Sequence, residues 1–261
     1  MSGRVEKGGR MKERPILFSG PMIRAILAGE KNQTRRVIRP QPKYPEFTYK
    51  GAGFTGLWCG YPDNGEDPAW EAYCPYGKPG DQLWVRETFA EICELADPYC
   101  ECEDKAPNNP HHFIEYRADS GNKYPGQWDD AYPDEIEHAK KEGFIPRWKP
   151  SIFMPRWASR IQLHVERVRV ERVQDISERD ALAEGLEVFS QDAGNNFSIG
   201  SGKIINTTRE PIMAFHFLWD SINERRGFGW DKNPWVWVVE FSVIQEEPLP
   251  VNDLRDTIES I

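Results

Sequence analysis

Residues 235–243 read Trp-Val-Trp-Val-Val-Glu-Phe-Ser-Val, with both alternating sets of side chains largely apolar. Successive side chains of a strand point to opposite faces, so this segment does not fit a sheet with one face in water. It calls for a central strand, or a strand of a closed barrel, covered on both sides. The cover must come from the rest of a 261-residue chain that is 39% hydrophobic, enough for a sizeable core. Thirteen Phe, ten Trp and nine Tyr argue against a disordered or low-complexity chain.

Several segments can provide that cover. Ile16-Leu17-Phe18 is a short apolar strand. Ser19-Gly20-Pro21 then opens a helix with Met22, Ile23, Ile26 and Leu27 on one stripe, stopped at Gly29. Gly80-Asp81 introduces a strand from Gln82 to Phe89. From Arg160 to Val170 the alternation Ile161, Leu163, Val165 slips phase to Val168 and Val170, which predicts a bulge. Ser177-Glu178-Arg179-Asp180 has the pattern of a capping box, opening a helix through Glu184 that Gly185 ends. Pro211 begins a helix with Ile212, Phe215, Trp219 and Ile222 on a stripe, closed by Gly227. Residues 40–80, rich in Pro, Gly and Tyr, are expected to form an ordered loop. Strands and helices do not alternate in long βαβ units, so the fold class is α+β.

Charge divides the chain further. Residues 1–40 carry a net +7, residues 91–144 a net -9, and residues 145–172 a net +5, within an overall -9. The expected organisation is a flexible leader at 1–13, a single domain at 14–245 with an acidic insertion at about 91–146, and a tail at 246–261. If the two basic segments meet, they make a local anion site on an acidic protein. No apolar run reaches the ~18 residues needed to cross a bilayer, and the N-terminal residues lack the apolar centre of a secretory signal. With an odd five cysteines, this points to a cytoplasmic protein without a membrane partner. Cys93, Cys100 and Cys102, with His111 and His112, form the densest cluster of potential ligands. There is no Cys-x-x-Cys, and Cys-x-Cys suits a zinc knuckle poorly, so no metal or cofactor is expected. Cys59 and Cys74 are expected as free thiols.

The segment Ile26-Leu27-Ala28-Gly29-Glu30-Lys31-Asn32-Gln33-Thr34-Arg35-Arg36 carries the candidate chemistry. Lys31 and Thr34 are close enough in sequence to face one cleft, and a lysine beside a hydroxyl is a base–nucleophile pair once burial lowers the lysine pKa. Arg35 and Arg36 can hold phosphate through forked hydrogen bonds. Physics alone favours reading the same residues as a solvated basic turn. Arg156 and Trp157 lie in a stretch where aromatic and basic residues interleave, a composition suited to unpaired bases, although most of the aromatic rings are expected in the core.

This segment resembles the signature of ASCH-domain proteins, relatives of the PUA RNA-binding domains: a short helix ending in Leu-x-Gly, then x-Lys-x-x-Thr-x-Arg. Gly80-Asp81 before Leu83-Trp84-Val85 resembles the family's turn and barrel strand. Asp175-Ile176-Ser177-Glu178 resembles the entry to its second helix, and Trp235–Val243 its closing strand. The wording from Arg14 to Phe18 and from Trp148 to Trp157 is similar to ASCH proteins of phages and prophages. The resemblance covers about 14–90 and 147–245 and implies a PUA-like β-barrel with flanking helices. It also implies a relation to bacterial amidohydrolases that remove the acetyl group from N4-acetylcytidine. Carried over by position, their Lys, Thr and Glu fall on Lys31, Thr34 and Glu184, and a following Arg on Arg36. Asn32 and Gln33 depart from the family pattern, and the chain is more than twice as long. The implied function is hydrolysis of an N4-acylated cytosine in a nucleoside or single-stranded RNA. Thr34 or a water would attack, Lys31 would carry the proton and Glu184 would position Lys31. The alternatives are a non-catalytic RNA or modified-base binding module, a ribonuclease, or a phage protein that binds a host protein.

Overall fold

A computed structural model describes residues 11–42, 46–49, 57–61, 70–93, 112–120, 147–191, 194–198 and 210–244, with single positions 137 and 141. Most of the leader, the tail and much of the acidic stretch, with Cys100, Cys102 and His111, lie outside the described residues. The architecture is mixed α+β.

In chain order the elements begin with strand β1 (Glu13–Leu17), helix α1 (Gly20–Leu27) and strand β2 (Gln33–Val37). Next come β3 (Glu46–Tyr49), β4 (Leu57–Tyr61), β5 (Trp70–Tyr73), β6 (Gln82–Arg86), β7 (Phe89–Cys93) and β8 (His112–Tyr116). Helix α2 (Arg117–Ser120), β9 (Gln162–Arg172), α3 (Glu178–Ala183), β10 (Glu187–Gln191), β11 (Gly194–Ser198), α4 (Pro211–Asn223) and β12 (Trp235–Val243) complete the series.

The main sheet has five strands in the order β1-β6-β9-β12-β2. As its two apolar faces require, β12 is interior, antiparallel to β9 on one side and β2 on the other. Its residues divide by parity. Trp235, Trp237, Val239 and Phe241 join the core with Ile23 and Ile26 of α1, while Val236 and Val238 join the core with Phe215 and Trp219 of α4. Each such side chain removed from water contributes roughly 1.5–3 kcal/mol before the entropy of ordering it is counted. The phase slip in β9 is a bulge. Glu240 pairs with Arg167 and Phe241 with Val165, which leaves Glu166 as the extra residue.

The expected closed barrel is not seen among the described residues, because the edge strands β1 and β2 do not pair. Arg36 of β2 instead reaches across, donating from Nη2 to the Leu17 carbonyl at 2.6 Å and lying over the Phe18 ring. A guanidinium in this gap holds the two edges farther apart than the ~4.8 Å at which strands form a ladder.

Residues 40–80, expected as loop, contain the antiparallel sheet β3-β4-β5. Within the acidic stretch, β8 pairs with β7 outside the main sheet. Helix α2 goes further inward: Ala118 is buried in the main core, and Arg24 of α1 donates to its carbonyl at 2.9 Å. Part of residues 91–146 therefore packs as core, because a small side chain lets α2 approach α1 closely. At the other end of the sheet, buried Asp81 accepts from the backbone amides of Lys12 and Lys78, fixing the starts of β1 and β6.

Candidate active site

The chain leaves α1, passes beside the C-terminal end of α3, and enters β2. Lys31 and Glu184 form an isolated antiparallel bridge there, and the Asn32 amide donates to the Ala183 carbonyl at 3.1 Å. Ser177 caps α3, its side chain accepting from the Asp180 amide. Gly185 then turns the chain at φ +87°, and a Cβ there would sit 2.9 Å from that of Lys31. Glycine is needed at this position both for the turn and for the passage of the lysine.

Lys31 is 1% exposed. Its Nζ donates to the Gln33 carbonyl at 2.7 Å, the Glu184 carbonyl at 2.7 Å and Glu184 Oε2 at 2.9 Å. Those three acceptors use all three protons of an ammonium. Burial pushes the Lys31 pKa down, and the Glu184 carboxylate only partly restores it. Lys31 therefore has no proton left to donate to an oxyanion or a phosphate. What it holds is Glu184.

The other oxygen of Glu184 faces Arg35 Nη1 at 3.4 Å. Arg35 is buried and reaches Asp180 at 3.0 Å and Glu171 at 3.3 Å, and Arg169 continues the alternation to Asp180 and Glu240. Arg35, expected as a phosphate ligand, has its charge taken up by three carboxylates.

Glu184 and Thr34 line a cleft of about 570 Å³, together with Arg36, Arg39, Tyr76 and Trp219. Its volume is within the range of roughly 300–1,000 Å³ usual for small-molecule sites. The Thr34 hydroxyl makes no hydrogen bond to the protein among the described residues. Arg36 crosses the Phe18 and Tyr76 rings at 5.1 and 6.0 Å. Burial raises the Tyr76 pKa against the lowering effect of Arg36 and Arg39, so the phenol keeps its proton.

Of the sequence-derived residues, Thr34, Glu184, Arg35 and Arg36 share this cleft, with Lys31 against Glu184 behind it. Arg156 and Trp157 do not line it. Arg156 is paired at the surface with Glu13 at 2.8 Å, and Trp157 is 46% exposed on a 3-10 turn. The two basic segments meet across β12 through shared carboxylates, Arg35 of β2 and Arg169 of β9 both pairing with Asp180, and so form an ion-pair network in place of a bare basic patch. Arg39, Tyr76, Trp219 and Arg226 line the cleft and carried no motif of their own, although Arg226 immediately precedes the Gly227 that marks a helix end. Among the described residues no group of three His, Cys, Asp or Glu could hold a metal ion, and no helix is long and apolar enough to cross a membrane. Cys59 and Cys74 are buried free thiols, Cys74 with its pKa pushed up to about 12 by burial. Comparison of the chain with protein-family models, curated proteins and solved structures returned no match.

Proposed function

We propose that this is an ASCH-type, PUA-like protein whose cleft holds a cytosine nucleoside or nucleotide and hydrolyses an N4-acyl group. The observation that carries this reading is a threonine hydroxyl without a hydrogen bond among the described residues, in a cleft also lined by a rigidly held, largely buried carboxylate. In the proposed reaction Thr34 Oγ attacks the acyl carbonyl carbon. The C–O bond forms as the carbonyl π pair moves onto oxygen, and the hydroxyl proton passes to Glu184. Collapse breaks the C–N bond, and the N4 amine leaves with that proton. Water then cleaves the threonine ester, releasing the carboxylic acid and restoring the hydroxyl. Lys31 acts here as a positioning residue and not as the base, because its ammonium protons are already committed and Glu184 is the member of the pair that lines the cleft. Guanidinium groups on the cleft wall favour the oxyanion electrostatically. The fold reading draws support from α1 linking the two edge strands, with Arg36 bridging the gap where a PUA-like barrel would close.

The test is release of acetate from N4-acetylcytidine by the purified chain, compared with Thr34→Ala. Turnover by wild type that falls at least a hundredfold in the variant supports the reading, on the scale of losing a covalent catalyst or its base. Absence of turnover on both the nucleoside and its 5′-phosphate overturns hydrolysis. It leaves the cleft as a binding site.

A further inference from the structure

The cleft carries more positive charge than its carboxylate can balance. Four arginines line it, Arg35, Arg36, Arg39 and Arg226, against Glu184. Arg35 is occupied by Glu171, Asp180 and Glu184. The other three make no ion pair among the described residues. Arg36 donates to one backbone carbonyl, and its Nε is buried with no hydrogen-bond partner. Arg39 lies over the Phe228 ring at 4.7 Å, and Arg226 ends the turn Glu224–Arg226 that follows α4.

Arg36 and Arg226 repel each other across the cleft, and among the described residues neither they nor Arg39 has a carboxylate partner like those of Arg35. Burial weighs most against the charge on Arg36 and Arg226 adds to it, while Tyr76 and Glu184 offset them only in part. The chain as a whole carries -9, so a bare positive cleft is not a by-product of a basic surface. An anion between these groups would remove the repulsion and accept forked hydrogen bonds. The protonated Tyr76 phenol, flanked by Arg36 and Arg39, adds a neutral donor suited to the same anion. Thr34 and Glu184 line the same cleft, so the anion and the reacting group belong to one ligand.

We infer that Arg36, Arg39 and Arg226 form a clamp for a phosphate ester, so that the ligand is a cytosine nucleotide and not the free nucleoside. This rests on the reading of the cleft as a cytosine site. The phosphate has two possible sources, a mononucleotide or an internal phosphodiester of a short single strand.

The experiment is calorimetric titration of the full chain with cytidine, 5′-CMP and a short oligocytidylate, at low and at raised salt. Wild type and the double variant Arg39→Gln/Arg226→Gln are compared, with a thermal melt confirming that the variant is folded. The expected result is at least tenfold tighter binding of a phosphorylated ligand than of cytidine, with that ratio falling towards one in the double variant. Tight binding of 5′-CMP assigns the site to a mononucleotide, and tight binding of the oligomer alone assigns it to a phosphodiester. Equal binding of all three, a ratio unchanged in the variant, or no binding by any ligand overturns the clamp. Turnover separates this from the previous proposal. If N4-acetylcytidine and its 5′-phosphate are hydrolysed with equal kcat/KM, the clamp fails and the hydrolase stands. If neither is hydrolysed while the arginine-dependent preference persists, the hydrolase fails and the clamp stands.

Discussion

Glu184 and Glu87 are both buried carboxylates held by cations, 4% and 1% exposed, yet their surroundings are built differently. Glu87 accepts from Arg160 through both oxygens, at 2.9 and 3.0 Å. Arg160 turns its remaining donors to Asp119 and lies over the Tyr116 ring, whose hydroxyl donates to the Ala158 carbonyl. This network closes on itself and ties α2 and β8 to the approach of β9. Glu184 is also held, by Lys31 and Arg35, but it borders an open cleft with a hydroxyl that makes no hydrogen bond and three guanidinium groups that make no ion pair among the described residues. Burial of a charge is common to both and marks neither as functional. The difference is that one network has room and unspent hydrogen-bonding groups for another molecule.

The largest expected effect separates the two carboxylates by turnover. Glu184→Gln keeps an acceptor for Lys31 and removes the proton carrier, so deacylation should fall by about 10²–10⁴-fold, the usual range for a positioned acid–base group. Glu87→Gln should leave kcat/KM within about twofold per folded molecule. Steady-state kinetics on the two variants decides, and a Glu87 effect equal to that of Glu184 would break the distinction.

Stability should not distinguish them. Lys31→Met and Arg160→Met each strip a buried carboxylate of its nearest cation, at a cost of about 3–5 kcal/mol. Urea unfolding of both variants measures this. A loss below about 1 kcal/mol for Lys31→Met would mean that Arg35 alone suffices for Glu184.

The two regions also differed in how far the sequence revealed them. Strand β12 was legible because both of its parities are apolar, and the bulge in β9 because the alternation visibly slips at Glu166. Helix α3 announced its own start with Ser177. Strand β2 was not legible: Gln33-Thr34-Arg35-Arg36-Val37 has no apolar alternation, and it is a strand because β12 supplies its ladder. Arg35 looked like a ligand for phosphate because its carboxylates lie 136 to 149 residues away in sequence. Lys31, Thr34 and Glu184 were named through a resemblance, and no spacing in the chain joins the first two to the third. The Glu87 network had no signature at all, since Glu87, Arg160 and the 112–120 segment that carries Tyr116 and Asp119 lie far apart in sequence.

A smaller effect tests how firmly the second region is docked. Ala118 of α2 packs against α1, where a Cβ on Gly20 would meet the Ala118 Cα at 3.8 Å. Ala118→Leu overfills this contact and should cost about 1–3 kcal/mol by thermal or urea unfolding, with kcat/KM unchanged. An unchanged melt would show that the 112–120 segment lifts away without penalty.

The smallest effect is the pH dependence carried by Glu87. Burial raises its pKa, and hydrogen bonds from Arg160 only partly oppose this while Asp119 adds to it. For Arg160 burial is also unfavourable, but two carboxylates more than offset it, so the guanidinium remains charged while Glu87 shares that one cation with Asp119. A carboxyl group whose folded pKa lies above its unfolded value binds its proton more readily in the native state. Its contribution to stability is therefore fully present below the unfolded value of about 4.5 and is lost as pH rises through the folded value. Glu87→Gln cannot titrate and lacks this dependence. The stability of wild type relative to that variant should consequently increase as pH falls from 7 towards 4.5, read from paired urea midpoints across that window. A relative loss on acidification would reverse the sign, making the ion pair with Arg160 dominant over burial, and Glu87 would then resemble Glu184 in needing its charge.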